Sequence, residues 1–296
     1  RTQAAAALSV EWLLAGESGA PLSVLPALRA QWMSDVEAAL LPSLGLRWVV
    51  SPQWTLQTNA ARAWRAPGFD ELYLRNEFVE GDPDLRPEDA WSLDLGVMWS
   101  PRPWVRLEAA AFALLVEDLI LFLPVSATRL RAQNTGAATS LGVEAAGVVV
   151  PWRWLRLEGS YTLTDARLDA PPQDPLPGRP VHKVSATATV ARPGIEIFVR
   201  STARSTVFLD NFGNLSNGPV VFVDVGAVGE ISSTLAVSVT ARNVLDERAA
   251  VDALQTPLPG ASMMVQLQWS PSGAFSSKPP SSGAPDAELS SVGGAP

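Results

Sequence analysis

Val184-Ser185-Ala186-Thr187-Ala188-Thr189-Val190 decides the fold, because apolar and polar residues alternate there without a break. Successive side chains of an extended strand point to opposite faces, so period two describes a strand with one apolar and one wet face. An amphipathic helix would repeat its apolar residues at every third or fourth position. The alternation recurs on both sides of this stretch. Downstream, Ile195, Ile197 and Val199 alternate with Glu196 and Arg200. Leu235, Val237, Val239 and Ala241 alternate with Ser238, Thr240 and Arg242, and Met263, Val265, Leu267 and Trp269 with Gln266 and Gln268. Upstream, Leu155, Leu157, Tyr161 and Leu163 alternate with Arg156, Glu158, Ser160 and Thr162, and Trp91 to Trp99 repeats the pattern.

About twelve strands are expected, near 5–15, 39–50, 53–64, 89–100, 103–116, 138–150, 153–165, 181–191, 194–206, 219–229, 233–243 and 260–269. The connections alternate between short Pro-, Gly- or Ser-bearing turns, such as Arg192-Pro193-Gly194, and long segments. The long ones are 16–38, 65–88, 117–137, 166–180, 207–218 and 244–259. Tight turns on one rim, long loops on the other and strands of about ten residues predict an antiparallel up-and-down transmembrane β-barrel, all-β, over residues 1–270. Trp48, Trp54, Trp99, Trp104, Trp152, Trp154 and Trp269 fall near strand ends, mostly beside the short turns, as an interfacial girdle requires. A soluble β-sandwich would alternate too, but with strands nearer five or six residues. The Ser-, Pro-, Gly- and Ala-rich tail, 271–296, is read as disordered.

The wet face gathers Glu11, Arg47, Gln57, Asn59, Asp94, Arg106, Glu108, Arg156, Glu158, Lys183, Glu196, Arg200, Arg204, Asp224 and Arg242. A Lys or Arg turned to lipid at mid-bilayer costs about 2–4 kcal/mol, so this face is the lumen.

Composition excludes several functions. Lys plus Arg is 22 against 30 Asp plus Glu, a net charge of −8, which argues against a nucleic-acid partner. The chain has no Cys and a single His, His182, so thiol catalysis and Cys- or multi-His-ligated metal are excluded. Neither a catalytic constellation nor a phosphate-binding glycine loop is present, and no cofactor or metal is expected. Glu117 with Asp118, and Asp82 with Asp84, read as solvated loop acids. Ligand capture falls instead to the long loops. The candidates are Trp32 in 16–38, Phe69, Tyr73 and Phe78 in 65–88, and Phe208, Asp210, Asn211 and Phe212 in 207–218. Aromatics and amides together suit a siderophore, a corrinoid or a glycan.

Arg65-Ala66-Pro67-Gly68-Phe69-Asp70-Glu71-Leu72-Tyr73 resembles the R-x-P-x-x-x-E-L-Y stretch of TonB-dependent outer-membrane receptors. Gly81-Asp82-Pro83-Asp84-Leu85-Arg86-Pro87-Glu88 is similar to that family's G-N-P-x-L-x-P-E motif, with Asp82 in place of Asn. Further matches follow in order: Asn134-Thr135-Gly136, Leu141-Gly142-Val143-Glu144, Arg242-Asn243-Val244-Leu245-Asp246, and a terminal strand closing at the aromatic Trp269. The resemblance covers about 39–269. It implies a structural role for Arg65, Pro67, Glu71, Leu72, Tyr73, Gly81, Pro83, Leu85, Pro87, Glu88, Asn243 and Trp269. It implies a 22-stranded barrel around a plug, in the outer membrane of a Gram-negative bacterium, driven by a TonB-type energy transducer. The activity implied is uptake of a scarce nutrient such as a ferric chelate, not catalysis. These 296 residues read as the C-terminal part of such a barrel, with the plug domain missing and outer-membrane lipid as the surrounding partner. A smaller passive β-barrel pore and a soluble β-rich binding module are the alternatives.

Overall fold

The computed structural model describes residues 1–15, 21–126, 128–169, 175–210, 213–248 and 257–270. The expected tail, 271–296, lies outside them, as do Asn211 and Phe212. The chain begins with β1 (Gln3–Ser9), β2 (Trp12–Ala15), β3 (Pro21–Met33), β4 (Val36–Ser51) and β5 (Trp54–Arg65). The five-residue helix α1 (Phe69–Tyr73) and β6 (Val79–Glu80) lead to β7 (Glu88–Arg102) and β8 (Val105–Glu117). A short pair, β9 (Ile120–Pro124) and β10 (Leu130–Asn134), precedes β11 (Ala137–Trp152), β12 (Leu155–Leu168), β13 (His182–Arg192) and β14 (Ile195–Arg204). β15 (Val207–Phe208), β16 (Ser216–Asn217), β17 (Val220–Ser232), β18 (Leu235–Arg242) and β19 (Ser262–Trp269) complete it.

One antiparallel sheet runs β1-β3-β4-β5-β7-β8-β11-β12-β13-β14-β17-β18-β19, with β2 also paired to β3. Among the described residues this ladder starts at β1 and ends at β19. The up-and-down order is the one the alternating turns predict, with one correction. Residues 16–38 are not a long loop: they contain β3, a thirteen-residue strand joined to β4 by a tight turn at Ser34 and Asp35. Pro26 hides it from a sequence reading, because proline in a run reads as a strand breaker. The sheet accommodates Pro26 locally. Its carbonyl accepts the Val10 N–H at 3.1 Å, and it lies opposite the gap between β1 and β2. The register is unbroken across that gap, with Ser9 opposite Ala27 and Trp12 opposite Val24. Only ladder hydrogen bonding is interrupted, beside a residue with no N–H to give. Trp32 therefore sits near a strand end on the apolar face, not in a loop.

Register confirms which residues share a face. Arg47, Gln57, Gly96, Ala110, Glu144, Thr162, Lys183 and Arg204 form one straight row across the sheet. Next to it, Trp48, Leu56, Val97, Ala109, Ala145, Tyr161 and Val184 form a row on the opposite face. The apolar row starts two residues from the Trp54 end of β5 and meets β13 eight residues from its Arg192 end. Such stagger is what a sheet needs to curl into a barrel wall with tilted strands.

Tryptophans edge the apolar face. Trp54 stacks on Trp99 at 5.4 Å and Trp152 on Trp154 at 5.4 Å, beside the short turns. Trp32, Trp64 and Trp91 lie toward the other end of their strands. Above them the outer face turns ionic, with Arg62 paired to Asp89, and Arg167 Nε donating to Asp165 Oδ1 at 2.6 Å. From Leu155 to Asp165 is ten residues, about 34 Å along the strand, or about 26 Å of height at a 40° tilt. That matches the apolar band of an outer-membrane barrel, about 25 Å. Among the described residues no helix is long and apolar enough to cross a membrane, which says nothing of strands.

Inside, two rings close over glycines. Phe112 covers Gly142 and Phe198 covers Gly226, each so closely that a Cβ there would collide with the ring. Register puts both pairs on the lumen face.

Candidate ligand-capture rim

The long connections fold against each other at the rim opposite the tight turns. Between β5 and β7 the chain makes α1, whose first N–H groups have no partner inside so short a helix. Glu71 meets one of them, accepting the Gly68 N–H at 2.6 Å. The same carboxylate takes Arg65 Nη1 and Nη2 at 3.0 Å each. Arg65 Nε and Nη2 also donate to Glu88 at 2.6 Å, and Glu88 Oε1 accepts the Ile120 N–H at 2.8 Å. One guanidinium thus ties the end of β5, α1, the start of β7 and, through Glu88, the next loop. The two acids are 13% exposed, so the clamp is held where water competes weakly.

Apolar packing lies beneath the clamp. Leu72, Leu85, Ile120 and Ala132 are buried together, with Phe122 packed on them. Gly81 passes so close to α1 that a Cβ would stand 2.7 Å from the Glu71 carbonyl oxygen. Its own N–H donates to the Leu74 carbonyl at 2.7 Å. Pro67 is fully buried, and its carbonyl accepts Arg1 Nη1 at 2.8 Å. Asp82, just before Pro83, accepts the Asp84 N–H at 3.0 Å and shapes the turn. Pro87 precedes the first residue of β7. The loops 66–87 and 118–136 also share a three-stranded sheet, β6-β10-β9, that the sequence reading did not foresee. Asn134 stitches them further. Its Oδ1 accepts the Arg86 N–H at 2.9 Å, and its Nδ2 donates to the Arg86 and Asp118 carbonyls at 3.0 and 2.6 Å.

The expected ligand residues divide into groups. Phe69 and Tyr73 stack at 6.2 Å on α1, and both are 56% exposed. Arg1 lies 4.9 Å over Phe69 and donates to Asp35 at 2.8 and 2.9 Å. That hydrogen bond holds the Asp35 carboxyl below the usual carboxylate range. Phe78 belongs to the same platform, 62% exposed, its carbonyl accepting the Leu130 N–H. Phe208 is elsewhere, in the small hairpin β15-β16, where its carbonyl accepts the Gly178 N–H at 2.9 Å. Asp210 accepts the Asn214 and Leu215 N–H groups at 3.0 and 3.2 Å and so organises its own turn. Trp32 joins neither group, because β3 turns it to the apolar outer face. Arg1, Asp35 and Arg86 went unforeseen, since their partners are remote in sequence.

Two further motif residues lie at the closing end. Asn243 takes a left-handed φ of 49° and is buried at 6% exposure. Its side chain bonds the Glu247 N–H at 2.9 Å and the Glu247 and Pro259 carbonyls at 2.9 and 3.2 Å. Asp246 accepts the Ala261 N–H at 2.9 Å, which with Arg248 holds its carboxyl below the usual range. Trp269 ends β19 opposite Leu235, 70% exposed on the apolar face. Among the described residues no cluster of three His, Cys, Asp or Glu could hold a metal.

The structure is similar to a mutant of the ferric enterobactin receptor from Pseudomonas aeruginosa, with a TM-score of 0.73 at 18% identity over 90% of this chain and 45% of that one. It is also similar to the siderophore receptor PirA from Acinetobacter baumannii (TM-score 0.72, 16% identity, 90% and 46% covered) and to the copper transporter OprC (0.74, 15%, 90% and 47%). The chain spans a little under half the length of these structures. No curated protein sequence matches it significantly. The family model described as "TonB dependent receptor-like, beta-barrel" matches residues 1–244. Matched over most of its length and folded as that family's barrel wall, the chain belongs to the TonB-dependent receptor β-barrel family.

Proposed function

We propose that this chain forms part of the wall and the capture rim of an outer-membrane receptor taking up a ferric chelate in a Gram-negative bacterium. The observation carrying this reading is the rigid two-loop platform, which presents the exposed Phe69–Tyr73 stack above a polar inner wall. Aromatic faces give a bulky chelate large contact area at small entropic cost. Family members are transporters rather than enzymes, and the proposed uptake is driven by a TonB-type transducer acting through a plug. Phe208 and the neighbouring turn of Asp210 offer a second contact. In this reading residues 1–270 form one membrane-embedded barrel portion, with 271–296 a tail beyond it.

The test is binding of a radiolabelled ferric siderophore to outer membranes from cells producing the protein. Saturable binding that falls roughly tenfold in Phe69→Ala/Tyr73→Ala supports the reading. Binding of a bare copper ion with no binding of the ferric chelate overturns the choice of ligand. A protein that stays in the aqueous fraction without detergent overturns the membrane reading, and conductance without any ligand binding favours a passive pore.

A further inference from the structure

The two ends of the outer face carry charge differently. At the loop end both signs are present and paired, Arg62 with Asp89 and Arg167 with Asp165. At the tight-turn end three successive turns, Ser100 to Trp104, Val150 to Trp154 and Ala191 to Gly194, hold Arg102, Arg153 and Arg192 and no Asp or Glu. This occurs in a chain whose net charge is −8. All three arginines are exposed, and among the described residues none forms an ion pair.

The three turns stand side by side. The Val150 N–H donates to the Trp104 carbonyl at 2.8 Å, and the Ala191 N–H to the Trp154 carbonyl at 2.9 Å. Register puts the strand-end arginines on the apolar side of the wall, with Arg102 opposite Val105 and Arg192 opposite Ile195. The nearest acids, Glu108, Glu158, Glu196 and Glu230, fall on the lumen face. Four strand spacings separate β7 from β13, about 19 Å, and Arg153 lies between. Tryptophans interleave with the cations. Arg192 Cζ lies 4.9 Å over the Trp154 ring, which leaves the guanidinium N–H groups free to donate. Directly inward on the same face, Leu155 stands opposite Val190 and Leu157 opposite Ala188, so alkyl surface begins where the charge stops.

We infer that this rim holds the head group of an anionic phospholipid in the leaflet facing the periplasm. The phosphate lies at Arg153 and Arg192, where a guanidinium can grip two of its oxygens. The acyl chains run along Leu155, Leu157 and Ile197, and Arg102 extends the positive field along the rim. A zwitterionic head group would bring its ammonium among guanidiniums with no carboxylate to receive it, so the site selects net negative charge. A soluble anionic partner is disfavoured, because the strand-end arginines flank the apolar face rather than the lumen. The inference rests on the membrane placement proposed above, not on the identity of the transported ligand.

The test is native mass spectrometry of the full chain in detergent micelles with equal amounts of phosphatidylglycerol and phosphatidylethanolamine. At about fivefold per guanidinium, phosphatidylglycerol is expected to be retained roughly tenfold or more over phosphatidylethanolamine. Arg153→Gln/Arg192→Gln should retain the two lipids equally, whereas Arg153→Lys/Arg192→Lys should keep most of the preference. Arg167→Gln, at the opposite end of the same face, should leave it unchanged. Equal retention by the unsubstituted chain, a preference that survives the double glutamine variant, or an equal loss in Arg167→Gln overturns the inference. A chain that stays in the aqueous fraction without detergent overturns the membrane placement and the rim together. Chelate binding is scored separately on outer membranes, so a membrane-embedded chain that binds chelate without lipid preference refutes only the rim, and the reverse refutes only the receptor.

Discussion

The platform formed by 66–87 and 118–136 and the loop around Phe208 both rise from the same rim, yet they are built differently. The platform has its own buried cluster, a guanidinium clamp and a three-stranded sheet. The Phe208 loop has a hairpin of two residues per strand and a turn held by one carboxylate. The first can present its aromatics without ordering on contact. In the proposed receptor, ligand recognition would draw on both kinds of surface.

The contrast can be broken from the platform side. Replacing Gly81 with Val forces a side chain into the Glu71 carbonyl, and Leu72→Asp places a carboxylate in the buried cluster. Each is expected to undock the platform, costing about 3 kcal/mol or more, seen as rapid proteolysis within 66–87. Arg65→Ala leaves Glu71 and Glu88 facing each other uncompensated. Because Arg65 is 46% exposed, the expected cost is about 2 kcal/mol, below that of a fully buried pair. Hydrogen exchange at the Ile120 amide should speed up, since Glu88 loses its anchor.

Asp210→Ala sharpens the comparison instead. It removes two hydrogen bonds from a single turn, about 1 kcal/mol, and should leave Ile120 exchange unchanged. Coupling between the two sites would mean the rim is one body. The smallest effect is on pH. Arg1 holds the Asp35 carboxyl below its unfolded value. The contact therefore contributes at pH above the ordinary carboxylate value, about 4, and fades as pH falls below it. Asp35→Asn should flatten this acid dependence, read as proteolysis at the rim.

What the sequence discloses follows the range of the interactions. Strands with alternating faces are local, and Val184 to Val190 reads correctly in isolation. β3 is not legible locally, because the fit of Pro26 in a strand depends on a gap in the neighbouring strand. The clamp is non-local: Arg65 meets Glu88 23 positions away, and Arg86 meets Asn134 48 away. Only the resemblance marks those residues, and it does so without saying what they touch. The exposed aromatics of 65–88 are legible as loop residues, but their stacking on α1 is not. Trp32 leaves the loop set because Pro21–Met33 is a strand.

Among the described residues, every long strand of the main sheet pairs with the next long strand in the chain, and no connection between these strands crosses over. Such a meander can be assembled by adding one hairpin after another, each closing a short loop before the next begins. Each addition ends with the same kind of edge that it started from. A hairpin such as β13–β14 is thus an interchangeable unit: its removal brings the lower edge of β12 and the upper edge of β17 together as compatible antiparallel partners, since the direction of the chain is restored every two strands. Barrel circumference in this architecture can therefore change in steps of two strands while the rim loops, and the chemistry they carry, stay where they are.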